Sequence, residues 1–218
     1  MHPLGTLTSR ERIKLAARQE LSDSGILGLR MEVVAEKAKV SVPLIYKYYK
    51  NREGLLTEVL SELYDGDSYE KLAAYADVFE QMENPTVDDI AILFANVQQG
   101  FRRLDRWKRL QILAASAEIP ELHTRLAAIH LDQQQRVVDF LGVAIRAVAS
   151  KYPGTTDESI EAAIKLAPPL ASLIMTQSFG SVLDDLVDYD IREAASEDMK
   201  VLLRLIIHSV LTAGNKAP

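Results

Sequence analysis

The sequence predicts an all-α protein in which a small N-terminal helical domain precedes a larger C-terminal helical bundle. Apolar residues recur at helical spacing along nearly the whole chain of 218 residues. Proline and glycine interrupt this pattern at four places, which are Gly25, Pro85, Pro120 and Pro153-Gly154. Hydrophobic residues make up 48% and charged residues 26% of the chain, as in ordinary globular domains. We place the domain boundary between residues 54 and 55, so that the domains are 1–54 and 55–218.

The first helix is predicted from its capping signal. Thr8 and Glu11 fit the capping box, in which each side chain accepts a hydrogen bond from the other residue's backbone amide. Apolar residues then follow at helical spacing, namely Ile13, Ala16, Ala17 and Leu21. Gly25 predicts the end of this helix, because glycine readily adopts the left-handed conformation found after the last turn.

Two shorter helices and the start of a fourth follow. A stripe of barely two turns predicts the second helix, and its members are Met31, Val34, Ala35 and Ala38. Ser41 predicts the cap of the third helix, in which Pro43 is tolerated because first-turn amides have no partner within a helix. Asn51 predicts the cap of the fourth. The later helical segments are predicted at 52–83, 86–103, 105–117, 119–151, 157–188 and 196–213.

Three short helices within about 45 residues, two of them joined by a tight turn, are typical of a helix-turn-helix unit. A three-helix bundle with another purpose would show similar periodicity. Charge favours the first interpretation. Residues 1–57 contain ten Lys/Arg and six Asp/Glu, a net charge of +4, whereas residues 58–218 contain 15 and 25, a net charge of −10. A basic lobe on an acidic protein indicates a module that binds polyanions such as nucleic acid.

Residues between Thr8 and Leu63 match a known pattern. Gly28-Leu29 is followed by the run Val-Ala-Glu-Lys-Ala-Lys-Val-Ser at 34–41. The run Pro-Leu-Ile-Tyr-Lys-Tyr-Tyr-Lys-Asn-Arg-Glu-Gly-Leu-Leu then occupies 43–56. In these residues the chain resembles the N-terminal domain of TetR/AcrR-family transcriptional regulators. The resemblance covers about a quarter of the chain. It implies a helix-turn-helix DNA-binding domain followed by a helical domain for ligand binding and dimerisation.

The resemblance also implies which residues meet DNA. Residues 42–48 would form the recognition helix, with Ile45 and Tyr49 packed inward; core packing is the alternative role for Tyr46 and Tyr48. Tyr48 and Arg52 match positions that reach phosphates. Lysine and arginine near the helix can neutralise phosphates without reading sequence, whereas apolar residues on it can contact only apolar base groups such as thymine methyls. The predicted DNA-binding residues are Arg30, Lys39, Ser41, Val42, Pro43, Leu44, Tyr46, Lys47, Tyr48, Lys50 and Arg52.

Two positions depart from the family pattern. Lys39 stands where similar proteins usually have glycine, so we expect a lysine at positive φ, which costs on the order of 1 kcal/mol. That lysine would project toward DNA. Arg30 stands at the start of the second helix, where similar proteins mostly have threonine or serine. Because arginine cannot accept a capping bond from an amide, we expect this helix to lack a side-chain cap.

The last predicted helix indicates dimerisation. Residues 201–211 read VLLRLIIHSVL, in which the polar residues Arg204 and His208 share one narrow stripe. A helix apolar around most of its circumference is buried on two sides. A second subunit would cover one side, and deep burial within one chain is the alternative. With the resemblance, this predicts a homodimer with interface residues Leu173, Leu183, Leu202, Ile206 and Val210.

A ligand pocket is expected among the middle helices. Pockets are mostly apolar with a few polar anchors, and the candidates are Phe94, Phe101, Trp107, Leu110, His130, Phe140, Met175, Gln177 and Phe179; His123 is a further polar candidate. Pro168-Pro169 predicts a kink in the 157–188 helix, because neither proline can bond the carbonyls of Ile164 and Lys165. The kink could open room for a ligand or serve packing alone.

The sequence disfavours other classes of protein. No phosphate-binding loop, dinucleotide-binding motif, nucleophile elbow or zinc-protease motif occurs, so we expect no enzyme, no cofactor and no metal. The lack of cysteine excludes disulfides and thiolate sites. A cytoplasmic location is expected, since residues 1–8 lack the pattern of a secretory signal. We therefore predict a repressor that releases a palindromic operator in double-stranded DNA when a small molecule binds. The alternative is a helical protein-interaction module with a degenerate helix-turn-helix.

Overall fold

A computed structural model describes residues 7–65, 72–100, 103–151 and 155–184, together with positions 197, 201, 204 and 205. All regular secondary structure in these residues is α-helical, which confirms the predicted fold class. The chain divides into two compact units. The first unit combines residues 1–66 with 111–129, and the second combines 67–110 with 130–218. The predicted boundary between residues 54 and 55 falls within a helix and stays a prediction.

Ten helices occupy the described ranges. They are α1 (Ser9–Gly28), α2 (Met31–Ala38), α3 (Val42–Tyr49), α4 (Arg52–Asp65), α5 (Leu72–Gln81), α6 (Val87–Gly100), α7 (Arg103–Ser116), α8 (Pro120–Ala149), α9 (Asp157–Ile164) and α10 (Ala167–Asp184). Of the last predicted helix, positions 197, 201, 204 and 205 are described, and all four are helical. None of the helices in the described ranges combines the length and the apolar character needed to cross a membrane.

The first unit begins with the predicted capping box. Thr8 Oγ1 accepts a hydrogen bond from the Glu11 amide at 3.3 Å, and Glu11 Oε2 accepts from the Thr8 amide at 2.7 Å. Gly25 has φ of 73°, a conformation that glycine tolerates. The helix bends at this residue and continues to Gly28, so the predicted end is a kink. Asn51 Oδ1 accepts from the Gly54 amide at 2.7 Å, which caps the first turn of α4 as the sequence indicates.

Apolar faces of α1 to α4 form the core of the N-terminal part. The side chains of Ile13, Ala17, Val34, Ile45, Leu55 and Val59 are fully buried there. Helix pairs α1–α2, α1–α4, α2–α3 and α3–α4 all contact one another. These contacts fix α3 through one face and leave its other face outside the core.

Charged side chains also link the helices of the first unit. On α1, Lys14 Nζ lies 2.6 Å from Glu62 Oε1 and Arg18 Nη2 lies 2.8 Å from Glu62 Oε2. Lys37 on α2 bonds both Glu20 and Asp23 on α1 at 2.7 Å. Glu20 is almost fully buried. Because several basic residues are held by acids within the unit, the net charge of the N-terminal region overstates the cations available to a polyanion.

The second unit is organised by a larger apolar core. Its fully buried members include Ile90, Leu141, Ala144, Ile145 and Ala171. The rings of Phe79 and Phe140 meet edge to face with centroids 5.6 Å apart. Such aromatic pairs stabilise a core beyond the area that they bury.

The proline pair breaks the helix where the sequence predicts. The chain makes a turn at Lys165 and Leu166 between α9 and α10. Pro168 and Pro169 lie in the first turn of α10, where missing amide hydrogens cost no helical bond. The interruption is therefore confirmed, but the segment predicted as one kinked helix forms two helices, α9 and α10.

Candidate nucleic-acid interface

The turn between α2 and α3 is built around Lys39. This residue has φ of 55° and ψ of 50°, the left-handed conformation expected from its place in the sequence. Its amide donates to the Glu36 carbonyl at 3.1 Å, and the Val40 amide donates to the Ala35 carbonyl at 3.0 Å. These bonds satisfy carbonyls that the end of a helix leaves free. The arrangement tightens the turn and leaves the Lys39 side chain exposed.

Helix α3 presents two different faces. Ile45 and Tyr49 are buried, with 0% and 5% of their surfaces exposed. Tyr46 and Tyr48 are 44% and 45% exposed, and Lys47 and Pro43 are exposed beside them. Val42 and Leu44 are half-buried. The exposed face carries two phenol groups and an ammonium group, all of which can donate hydrogen bonds to phosphates or base edges.

Lys50 joins α3 to α4 in a rare backbone conformation. Its φ of 63° and ψ of −51° lie near those of a classic γ-turn. The Asn51 amide donates to the Tyr49 carbonyl at 2.7 Å across it, and the Lys50 amide donates to Tyr46 at 2.8 Å. Gly54 is required nearby, because a Cβ atom at this position would collide with the Tyr49 carbonyl oxygen. The tight connection holds an exposed lysine directly after α3.

Three lysines form what we call the cationic face: Lys39, Lys47 and Lys50. Among the described residues, no acid lies within ion-pair distance of any of them. Arg30 is also well exposed, and its Nε lies 4.0 Å from Glu20 Oε1. It is the N-cap residue of α2, and its side chain makes no capping hydrogen bond, as expected. Ser41 is exposed at the start of α3, where its side chain accepts no capping bond.

Arg52 has a different environment from the cationic face. Its Nη2 donates to the Ile26 carbonyl at 2.7 Å, and its Nε donates to the Leu29 carbonyl at 3.0 Å. The guanidinium thus ties the start of α4 to the segment that joins α1 and α2. Its role at a phosphate stays a prediction.

Ion pairs between α1 and α2 shift the pKa values of Glu20, Asp23 and Lys37. A hydrogen bond from Lys37 lowers the pKa of Glu20, and hydrogen bonds from Lys37 and then Gln19 lower the pKa of Asp23. The pKa of Lys37 is raised by its hydrogen bonds to Asp23 and Glu20. Sequence reasoning missed these pairs because the partners are 14 and 17 residues apart. For the ion pairs between α1 and α4, the sequence did contain a signal. Arg10, Lys14 and Arg18 recur every four residues on α1, and Glu58 and Glu62 have the same spacing on α4.

The predicted pocket residues of the second unit fall into groups. Trp107, Leu110, His130, Gln177 and Phe179 are half-buried. Phe140 and Met175 lie in the packed core. The side chain of Phe94 and all of Phe101 lie outside the described part of the chain. His123, in the first unit, is exposed.

Two polar features accompany the half-buried group. Gln177 Oε1 is buried and has no hydrogen-bond partner among the described residues. Arg109 on α7 is nearly buried; its Nη2 donates to Gln133 Oε1 at 3.2 Å, and its guanidinium carbon lies 5.9 Å from the centroid of the Phe179 ring. A polar atom buried without a partner is costly, so Gln177 is a candidate anchor for a bound molecule.

A groove of about 860 Å³ lies on another part of the second unit. It is lined by residues that include Val138, Gly142, Arg146, Glu161, Ile164 and Pro168. Arg146 and Glu161 form an ion pair across it at 2.7 Å. Sequence reasoning singled out Pro168, which lines this groove, and missed the lining on α8.

Of the predicted dimer residues, Leu173 is described with its side chain and is 37% exposed. The side chain of Leu183 and the residues Leu202, Ile206 and Val210 lie outside the described part of the chain. Val201 and Leu205, one turn apart, are 48% and 62% exposed. Arg204 between them forms an ion pair with Asp88.

Solved structures share the fold of this chain. The multidrug binding protein EbrR in complex with imidazole is 18% identical, with 92% of this chain and 95% of that chain covered and a TM-score of 0.59. EbrR complexed with proflavin is 17% identical over 91% and 99%, with a TM-score of 0.53. A protein from Mesorhizobium loti MAFF303099, described as a TetR-family transcriptional regulator, is 12% identical over 98% of both chains, with a TM-score of 0.59.

No curated protein matches the chain significantly in sequence. Residues 13–59 match the family model for bacterial regulatory proteins of the tetR family. This range contains the α2–turn–α3 unit and the cationic face. The N-terminal part of the chain is therefore similar to bacterial regulatory proteins of the tetR family.

Proposed function

We propose that α3 enters the major groove of a palindromic operator and that the chain acts there as a repressor. The observation that carries this proposal is the cationic face, whose three lysines are exposed and unpaired within the described residues on and beside α3. Lysines that contact phosphates release counterions, so the affinity for DNA falls steeply with salt. The exposed tyrosines and the half-buried Val42 and Leu44 are then placed to meet base edges.

Fluorescence anisotropy with DNA from upstream of the gene tests this proposal. We expect Lys47→Ala to reduce the slope of log affinity against log salt by about 1, because one phosphate contact is lost. Lys151→Ala is the matched control, since Lys151 is an exposed lysine of the second unit. An affinity that does not depend on salt, or an equal effect of the two variants, would contradict the proposal.

We also propose that two copies assemble through the C-terminal helices. Leu173, Val201 and Leu205 are large apolar side chains exposed in the described part of this region. Covering them with a second copy would remove apolar surface from water. Sedimentation should show a dimer at micromolar concentration, and Leu173→Glu should weaken it. Val78→Glu, at an exposed position on α5, is the control that should leave assembly unchanged.

The proposed effector is a mostly apolar molecule with a hydrogen-bond donor, and it relieves repression. Half-buried Trp107, Leu110 and Phe179 offer apolar surface, and Gln177 Oε1 offers a buried acceptor. EbrR binds imidazole and proflavin, both of which carry N–H groups. An effector shifts the regulator only through different affinities for its DNA-bound and free conformations.

Proflavin is a suitable probe of the effector site. Trp107 is the only tryptophan, so quenching of its fluorescence reports binding beside it. We expect Gln177→Leu to weaken proflavin binding about tenfold through loss of the acceptor, while the operator affinity of the free protein stays unchanged. Unaltered proflavin affinity in Gln177→Leu would remove this residue from the site. If the Trp107→Leu variant retains its fold and proflavin still releases it from the operator as it does the wild type, Trp107 does not line the site.

A further inference from the structure

The carboxylate of Glu58 links three helices of the first unit. It lies on α4, and its Oε1 accepts a hydrogen bond from Arg10 Nη2 of α1 at 2.9 Å. Its Oε2 accepts from Arg125 Nη1 of α8 at 3.0 Å. The Glu58 side chain is 16% exposed, whereas the two arginines are 54% and 46% exposed. Each carboxylate oxygen therefore holds a different helix.

Arg10 continues these contacts to the recognition helix. Its guanidinium carbon lies 5.8 Å from the centroid of the Tyr49 ring, within the range of a cation–π interaction. The Tyr49 hydroxyl also lies 3.5 Å from the Arg10 carbonyl, to which it donates. Tyr49 is the last residue of α3 and is buried. Four side chains thus form an unbroken series of contacts from α8 to α3: Arg125, Glu58, Arg10 and Tyr49.

Helix α8 supplies Arg125, the first member of this series. It runs without interruption over residues 120–149. Its residues up to 129 belong to the first unit, and those from 130 onward belong to the second. In the second unit, α8 supplies Leu141 and Ile145 to the core and Gly142 to the wall of the groove.

We propose that Glu58 is a positioning residue for α3 and that Arg125 fixes Glu58 in this role. When Arg125 holds Oε2, Glu58 is fixed and orients Arg10 against Tyr49 at the end of α3. Without the bond from Arg125, Glu58 is free to turn, Arg10 loses its orientation and the end of α3 loosens. This inference rests on the proposed function, because it concerns the helix that is proposed to enter the major groove.

Glu62 provides a matched control on the same helix. It lies one turn beyond Glu58 on α4 and also binds α1, through Lys14 and Arg18. Among the described residues it makes no ion pair with α8. Loss of Glu62 therefore weakens the α1–α4 link without touching the contacts that lead from α8 to Tyr49.

Hydrogen exchange in the full-length protein, without ligand, tests the proposal. In Arg125→Gln and Glu58→Gln we expect the amides of residues 42–49 to exchange about fivefold faster, because local opening of α3 becomes easier. The same amides should keep the wild-type rate in Glu62→Gln. Arg125→Lys should restore part of the protection, since lysine keeps the charge but loses the fork geometry.

Operator affinity supplies the second measurement. Arg125→Gln should weaken specific binding about fivefold, while its midpoint of thermal unfolding stays near the wild-type value because half-exposed ion pairs contribute little to stability. The proposal is overturned if α3 exchanges at the wild-type rate in Arg125→Gln, or if Glu62→Gln accelerates it equally. Wild-type protein that binds no operator would refute the proposed function instead, and the exchange data would remain valid for the contacts themselves.

Discussion

Different kinds of interaction stabilise the interiors of the two units of this protein. In the first unit, helices with small apolar faces are joined by ion pairs such as Lys37 with Glu20 and Lys14 with Glu62. In the second, the helices share an apolar core around Phe79, Phe140 and Ile145. A helix of eight residues, such as α2 or α3, buries few side chains, so charged contacts supply part of its positioning. The cationic face is therefore positioned by interactions that respond to salt, pH and single charges.

The largest expected effect comes from breaking the apolar core. Phe140→Ala should lower the free energy of unfolding of the second unit by about 3–5 kcal/mol, since it removes a buried ring and leaves a cavity. Urea unfolding followed by Trp107 fluorescence measures this loss. Val78→Ala, at an exposed position of α5, should change stability by less than about 0.5 kcal/mol. Because the lost contacts are apolar, a loss that high salt abolishes would contradict the comparison.

Breaking the charged links of the first unit should have a smaller effect. Lys37→Met leaves the buried carboxylate of Glu20 without its nearest cation, so we expect the midpoint of thermal unfolding to fall by several degrees. Arg18→Met should change it little, because the pair is exposed and Glu62 keeps Lys14. Thermal unfolding of both variants, followed by circular dichroism, measures these two midpoints. Equal shifts for the two would show that burial of Glu20 is without consequence.

Acid should remove the difference between Lys37→Met and wild type. The pKa values of Glu20 and Asp23 are lowered in the folded protein by Lys37, from ordinary values of 4.5 and 3.8. The stability they contribute is thus present above those ordinary values and is lost as pH falls through the lowered values. Melts from pH 7 downward should show the two proteins converging below about pH 4. A gap that does not change as pH falls would exclude this linkage.

The smallest expected change in stability concerns the strained lysine after α3. Lys50→Gly should raise the free energy of unfolding by about 1 kcal/mol, since glycine accepts positive φ without strain. Operator affinity should fall at the same time, because an ammonium group beside α3 is lost. Lys39→Gly is the matched variant, with a smaller gain because its conformation is an ordinary left-handed one. A loss of stability in Lys50→Gly would show that the conformation is not strained.

Local features could be predicted because neighbouring residues specify them. The Thr8–Glu11 capping box, the cap at Asn51, the left-handed Lys39 and the interruption at the proline pair all follow from groups within a few residues of one another. Gly25 predicted the end of α1, whereas the structure has a bend there, because the helix continues to Gly28. For the same reason the helix-turn-helix unit could be identified from the spacing and identity of residues 28–56. The similarity to the tetR family lies in the same part of the chain, residues 13–59.

The tertiary structure decided how the charges are used. The net charge of residues 1–57 includes five basic residues that are held by carboxylates or carbonyls within the first unit. They are Arg10, Lys14, Arg18, Lys37 and Arg52. The partners of Arg10 lie 48 residues away, on α4, and those of Arg52 lie more than 20 residues away. Periodicity reports which face of a helix is buried, but not which distant charge meets it. The sequence by itself determined the helices and the DNA-binding unit, whereas only packing determined which cations remain free for DNA, because pairing depends on distances between helices.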